Sequence, residues 1–204
     1  MAATAAILAA VAARRSRTVG LGRMVDRERT GSRWFTFNAG MGWDADVIAE
    51  MERMRADGRR ATPLRYMATA WRHYLRQRRD PRSISVELPG ADPVELRFAF
   101  ICNTDTWTYV GPHPVRTNPG ASFATGLGLF GLRDLGTGST FTALGEMLRP
   151  GGDPRGRNVL RRDTVPLLRV RCAEPLALQL DGDHVGEGRD VEFHAVSEAL
   201  RVVV

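Results

Sequence analysis

From Ser83 onward the chain is a succession of short apolar or alternating runs, each closed by a turn signal, and this rhythm restricts the fold more than any other feature. Ser83 to Leu88 and Val94 to Cys102 are separated by Pro89-Gly90, and Leu127 to Leu132 follows. Thr164 to Arg171, Leu176 to Leu180, Val191 to His194 and Leu200 to Val204 complete the series. Short runs of this kind, bounded by glycine and proline, are the pattern of strands. Upstream, Thr18 to Asp26 alternates, Asp26 to Ser32 is a polar turn, and Arg33 to Ala39 returns as far as Gly40, which reads as a hairpin.

Helices interrupt the strands. Ala2 to Arg15 begins the chain as one, and from Asp44 the period changes, with Val47, Ile48, Met51 and Met54 at helical spacing until Asp57-Gly58. A further helix starts near Pro63 and ends before Pro81, with Leu64, Met67, Trp71, Tyr74 and Leu75 on one face and Arg65, Arg72, Arg76 and Arg79 on another. A short helix covers Thr140 to Leu148, and Gly151 to Asn158 is a glycine- and arginine-rich loop. The expected fold is mainly β (α+β), a β-sandwich with inserted helices, in one domain with a terminal appendage.

All 29 basic residues are arginine, and the net charge is +6. With no lysine, neither a P-loop lysine nor a Schiff base is available. The charge suits nucleic acid, anionic lipid or phosphate, although genomic bias toward alanine, arginine and glycine produces the same composition. No helix-turn-helix or RNA-binding aromatic signature accompanies it, so nucleic acid is disfavoured as a partner. The basic helix within residues 59–82 suits an anionic membrane surface, or is simply solvated. Cys102 and Cys172 lie in apolar runs without CxxC spacing, which favours a reduced, cytoplasmic compartment over metal binding. Met1 to Ala13 is apolar but has no basic residue ahead of it and is too short to span a bilayer.

Gly126-Leu127-Gly128-Leu129-Phe130-Gly131 matches GxGxxG, yet its glycines fall within a strand-like run and not at a strand-to-helix turn, so it carries no dinucleotide expectation. His73, His113, His184 and His194 have no zinc-site spacing, and His73 reads as solvated. Two acidic turns are more informative. Asp181-Gly182 is a strong hairpin signal, and with Asp183 and Glu187 it gathers acidic charge at a strand end, where a general base or ion site is also conceivable. Gly42-Trp43-Asp44-Ala45-Asp46 sits at a strand-to-helix junction, where Asp44 suits a site or simply caps the helix.

The ordered set FNAGMGWDADV, basic helix, FAFICNTDTWTYVG, PGASFATGLGLFGL, LQLDGDHVGE and SEALRVVV resembles the C-terminal half of the diacylglycerol kinase catalytic family, which includes bacterial lipid kinases and sphingosine kinases. The resemblance implies a β-sandwich domain over residues 18–204, with residues 1–17 as an inter-domain helix and the nucleotide-binding domain that carries GGDGT absent from the chain. It implies the acceptor side of an ATP-dependent lipid kinase, acting on diacylglycerol or a similar lipid hydroxyl. Asp181 takes the family's role of base, and Asp183 stands where relatives carry glutamate. Gly40, Gly42, Asp44 and Asn103 fall at the periphery of the substrate pocket. ATP and Mg²⁺ would require the absent domain, and Ala124 and Gly128 replace acids that support a structural magnesium in some relatives. The resemblance also implies a cytoplasmic, peripherally membrane-associated protein, with a homodimer as one outcome if the first helix is left uncovered. The alternative is a non-enzymatic module that binds a lipid or a partner.

Overall fold

The computed structural model describes residues 2–60, 62–80 and 82–204, so Pro81, expected to mark the end of the basic helix, lies outside the described residues. Helix α1 (Ala2–Ala12) leads into β1 (Ser16–Asp26), which turns back through β2 (Ser32–Phe35) and β3 (Asn38–Met41). Two helices follow, α2 (Trp43–Ala56) and α3 (Pro63–Arg79). Strands β4 (Ile84–Glu87), β5 (Val94–Leu96), β6 (Phe98–Cys102), β7 (Thr106–Val110), β8 (His113–Arg116) and β9 (Leu127–Leu132) come next. Helix α4 (Thr137–Leu148) precedes β10 (Val159–Val165), β11 (Leu167–Leu180) and β12 (Asp183–Val203).

The main sheet is antiparallel, in the order β10-β9-β6-β3-β11-β12-β1-β2, with β4 joined to β11 and β5 to β4. Strand β11 pairs with β4 through Arg169 to Cys172 and with β3 through Leu178 to Leu180, and its register against β12 shifts between Arg171 and Leu176. A bulge at this point bends and twists the ladder, so β4 and β5 face β6 and β9 across a common core. Ile84, Val86 and Leu96 pack there with Ala99, Ile101, Leu127, Leu129 and Phe193. The expected sandwich with inserted helices is the observed fold.

Strands β6 and β9 are buried on both faces. Side chains alternate across a strand, and one set fills the sandwich while Phe98, Phe100, Cys102, Phe130 and Leu132 form a second cluster with Tyr74 of α3 and Ala143 and Met147 of α4. The helices therefore cover the outer face of this layer.

Several expectations change in detail. The run Val94 to Cys102 divides at Arg97, whose N–H donates to the Leu132 carbonyl at 2.8 Å and whose guanidinium donates to the Gln77 carbonyl at 2.7 Å. The β7–β8 hairpin was not anticipated, and β12 is one long strand where two short ones were expected. Leu127 to Gly131 of the GxGxxG segment lie within β9 and not at a strand-to-helix turn.

Helix α3 holds the largest surprise. Its Leu64, Met67, Trp71 and Leu75 stripe faces solvent, while Thr69 and Tyr74 are buried. The inward face is fixed by hydrogen bonds: Trp43 Nε1 donates to Ala70 O at 3.1 Å, Tyr74 Oη to Leu135 O at 3.2 Å and Gln77 Nε2 to Arg97 O at 2.8 Å. His73, expected to be solvated, is half-buried and meets Glu50 of α2 at 2.5 Å, with Arg72 on the other Glu50 oxygen.

Candidate functional site

The Asp181-Gly182 turn closes β11 onto β12, with Leu180 opposite Asp183 and φ of 51° and 89° at the two central residues. Positive φ at both positions is what a two-residue type I′ hairpin requires, and Asp-Gly supplies it. The left-handed backbone also aims the Asp181 carboxylate at the chain between β2 and β3. Its Oδ2 accepts from the Thr36 N–H at 2.7 Å, and its Oδ1 from the N–H groups of Phe37 and Asn38 at 2.7 and 3.0 Å. Three of about four lone-pair positions are thus occupied, leaving one on Oδ2 at the exposed rim.

Asn103, buried at the end of β6, holds the same segment from the other side. It donates through Nδ2 to Thr36 O at 2.9 Å and to Gly20 O at 3.0 Å, and its N–H meets Phe37 O at 2.8 Å. Thr36-Phe37-Asn38 is therefore clamped between two residues anticipated for the site.

Gly42 ends β3 with φ of 88° and starts α2 without any side-chain cap. Asp44 is not the cap that local sequence allowed. Its carboxylate turns back toward the sheet, where Oδ2 accepts from Gln179 Nε2 at 2.9 Å. This approach runs across Gly40, where a Cβ would lie 2.7 Å from Asp44 Oδ2 and 2.9 Å from Gln179 Nε2. Only glycine leaves that room. Burial pushes the Asp44 carboxyl up to about 6, against the smaller opposing effect of the Gln179 hydrogen bond.

Gln179 was missed as a functional candidate. It also donates to Asn38 Oδ1 at 3.0 Å and accepts through Oε1 from the Gly182 N–H at 2.9 Å, joining Asp44 to the Asp181 turn. Its signal was a glutamine at a fully buried position in the apolar run Leu176 to Leu180. Glu52 of α2, likewise missed, accepts from the His184 N–H at 3.0 Å and ties the start of β12 to the helix. Gly40, Asp44, Asn103 and Asp181 thus converge on one network, whereas Gly42 only starts α2 beside it and the exposed Asp183 side chain makes no hydrogen bond among the described residues.

Asp44 also reaches an apolar cavity of about 80 Å³ between the sheet and α4, walled by Trp43, Phe98, Phe100, Phe130, Leu132 and Met147. Thr140 Oγ1, on the same wall, is buried without a hydrogen-bond partner. The accessible wall of this space is wholly apolar and its volume is well below that of a typical ligand site, so it suits a small apolar group. Magnesium fits the described residues poorly. Among them no three His, Cys, Asp or Glu side chains gather, and at Gly128 a Cβ would already lie 2.8 Å from the Asn118 side chain.

No protein-family model and no curated protein matches the sequence. Solved structures do match. A putative diacylglycerol kinase from Bacillus anthracis str. Sterne aligns over 95% of this chain at 12% identity with a TM-score of 0.61. Two further structures from the same organism, one described as a diacylglycerol kinase and the other as a putative one, align over 95% at 10% and 12% identity with TM-scores of 0.57 and 0.58. The fold is diacylglycerol kinase-like. This chain spans 56–58% of the length of those structures.

Proposed function

We propose that this chain is the acceptor side of an ATP-dependent lipid kinase, presenting the hydroxyl of diacylglycerol or a similar lipid for phosphorylation. The observation that carries this reading is the apolar cavity with Asp44 at its wall, joined through Gln179 to the turn bearing Asp181. The small apolar space would take part of an apolar chain, and the Asp44–Gln179 hydrogen bond would hold the Asp181 turn in place beside it. Asp181, with one oxygen position still open at the rim, would take the proton from the acceptor hydroxyl as it attacks the γ-phosphate. Asp183, exposed beside it, would add negative charge without contacting the network. ATP supplies the phosphoryl group. Its binding, and that of catalytic magnesium, is assigned to a GGDGT-bearing segment, a motif that does not occur in this sequence.

The test is γ-phosphate transfer to diacylglycerol in mixed micelles, by this chain alone and by a chain extended upstream to a GGDGT-bearing segment, each with and without Asp181→Asn. Activity in the extended form, lost with the substitution, supports the reading. A folded extended form that binds ATP but does not phosphorylate diacylglycerol removes that acceptor.

A second reading, a lipid- or partner-binding module without chemistry, is favoured by one observation. Both Asp181 oxygens already hold the backbone of Thr36-Phe37-Asn38, which is a complete structural role in itself.

A further inference from the structure

A larger space, about 640 Å³ and open to solvent, lies between the start of β1, the β6–β7 turn and the loop that precedes β9. Its volume is in the range of sites for small organic ligands. None of its residues belongs to the Asp44–Gln179–Asp181 network.

The cleft is held open by the way the loop is seated on β1. The Gly20 N–H donates to Phe123 O at 2.8 Å, and a Cβ at Gly20 would lie 2.8 Å from that same oxygen. The register of β1 against β12 shifts here, between Val19 and Leu21. A glycine at an irregularity thus lets the loop backbone close on the strand, while Arg17 and Thr18 stay exposed ahead of it. The loop is itself braced, with the Thr125 N–H donating to Ser122 O at 3.0 Å and the Ser122 N–H to Thr125 Oγ1 at 2.9 Å.

The groups left unused on this wall are donors. Among the described residues no carboxylate lies within ion-pair distance of Arg17, and the Thr18 and Thr104 hydroxyls make no hydrogen bond. Ser122 Oγ reaches Thr125 Oγ1 only at 3.5 Å, too long for a good O–H···O bond, so its proton is available. Asp105, the carboxylate on the wall, is already matched. Arg116 Nε lies 3.3 Å from one of its oxygens, and Thr106 donates to the other at 3.0 Å.

An unmatched guanidinium beside hydroxyl donors suits a tetrahedral oxyanion, which the guanidinium grips as a fork while the hydroxyls take the remaining oxygens. Val19, Ala121 and Phe123 make another part of the wall apolar, where bare phosphate would find no counterpart.

We propose that this cleft is a binding site for a phosphomonoester, with Arg17 and the Thr18, Thr104 and Ser122 hydroxyls on the phosphate and the organic body against Phe123. Two sources share this chemistry, a soluble phosphorylated polyol and the headgroup of a phosphorylated lipid. The site goes beyond the lipid-acceptor reading and does not rest on it, since no residue assigned to the reaction lines the cleft.

The experiment is an amide NMR titration of the full chain with inorganic phosphate, glycerol 3-phosphate and dihexanoyl phosphatidic acid below its micellar concentration. Arg17→Gln and Arg17→Lys are run beside the parent, with Arg55→Gln as the control for general attraction to a basic protein. Arg17 and Arg55 are exposed, so thermal melting is expected to be unchanged and verifies folding. Saturable shifts are expected at residues 17–20, 104 and 121–124 with at least one ester, bound about tenfold more tightly than inorganic phosphate, and the tighter ester identifies the source. Arg17→Gln is expected to weaken that binding about tenfold or more, Arg17→Lys to restore part of it and Arg55→Gln to leave it unchanged. Shifts scattered over the surface arginines, equal affinity for phosphate and both esters, or equal binding by the parent and Arg17→Gln overturns the site. Phosphoryl transfer is read separately. A chain that binds an ester here but phosphorylates no lipid keeps this site and removes the proposed reaction, and the opposite pair of results removes the site and keeps the reaction.

Discussion

Gln179 donates to the Asp44 carboxylate at 2.9 Å directly against Gly40, so the buried contact between β11 and the start of α2 depends on a residue with no side chain. Gly40→Ala would put a Cβ within 3 Å of both partners. The backbone of β3 is held on each side, by β6 and β11, and cannot retreat. The hydrogen bond must open or the strand must shift. The expected loss is about 2 kcal/mol, within the range for overpacking a filled interior, read as a lower urea midpoint with unchanged slope.

Stability should also depend on the ionisation of Asp44. Its folded-state value of about 6 lies above the ordinary 3.8, so the native state holds the proton more tightly than the unfolded chain. The associated stability is fully present below about pH 4 and is lost as pH rises through about 6, a difference of roughly 3 kcal/mol for a two-unit shift. Asp44→Asn removes this dependence. Urea midpoints at about pH 4 and about pH 7 should therefore fall for the parent relative to the variant, and parallel profiles would contradict the assignment.

The strand-and-turn rhythm was readable because it is local. Asp181-Gly182, the start of α2 and the strand nature of the GxGxxG run all follow from neighbouring residues. The facing of α3 was not readable, because periodicity finds a stripe but not the direction in which it points. Hydrogen bonds from Tyr74 and Gln77 to Leu135 and Arg97, distant in sequence, decide that direction. Within the site, the resemblance picked out Gly40, Asp44, Asn103 and Asp181, which do meet, and Gly42 and Asp183, which stay outside the hydrogen-bond network. It passed over Gln179, whose role exists only once β3, β11 and α2 are assembled.

The two thiols should differ in reactivity. Cys102 is buried, and burial pushes its thiol up to about 12 in spite of the contact with Thr117. Cys172 is half-buried and is pushed up to about 11, again by burial. Thiolate is the reactive form, so a disulfide reagent at about pH 8 should modify Cys172 slowly and Cys102 only after denaturation. Rapid reaction of two thiols in the folded chain would contradict the buried position of Cys102.

Asp181 has a structural duty that any activity test must separate from chemistry. Asp181→Ala leaves the N–H groups of Thr36, Phe37 and Asn38 without their acceptor. Because the turn is exposed, water replaces part of what is lost, and the expected cost is about 1–2 kcal/mol. Asp181→Asn keeps one oxygen acceptor and tolerates the left-handed backbone at φ 51°, so it should cost less. Hydrogen exchange at residues 36–38 reports the clamp, and urea midpoints report the fold. If Asp181→Asn abolishes phosphoryl transfer in an extended, ATP-binding form while exchange at 36–38 stays near the parent rate, the carboxylate acts on the acceptor. Loss of activity that tracks faster exchange at those amides, and is equal in the two substitutions, would make Asp181 a positioning residue for Asn38, Gln179 and Asp44.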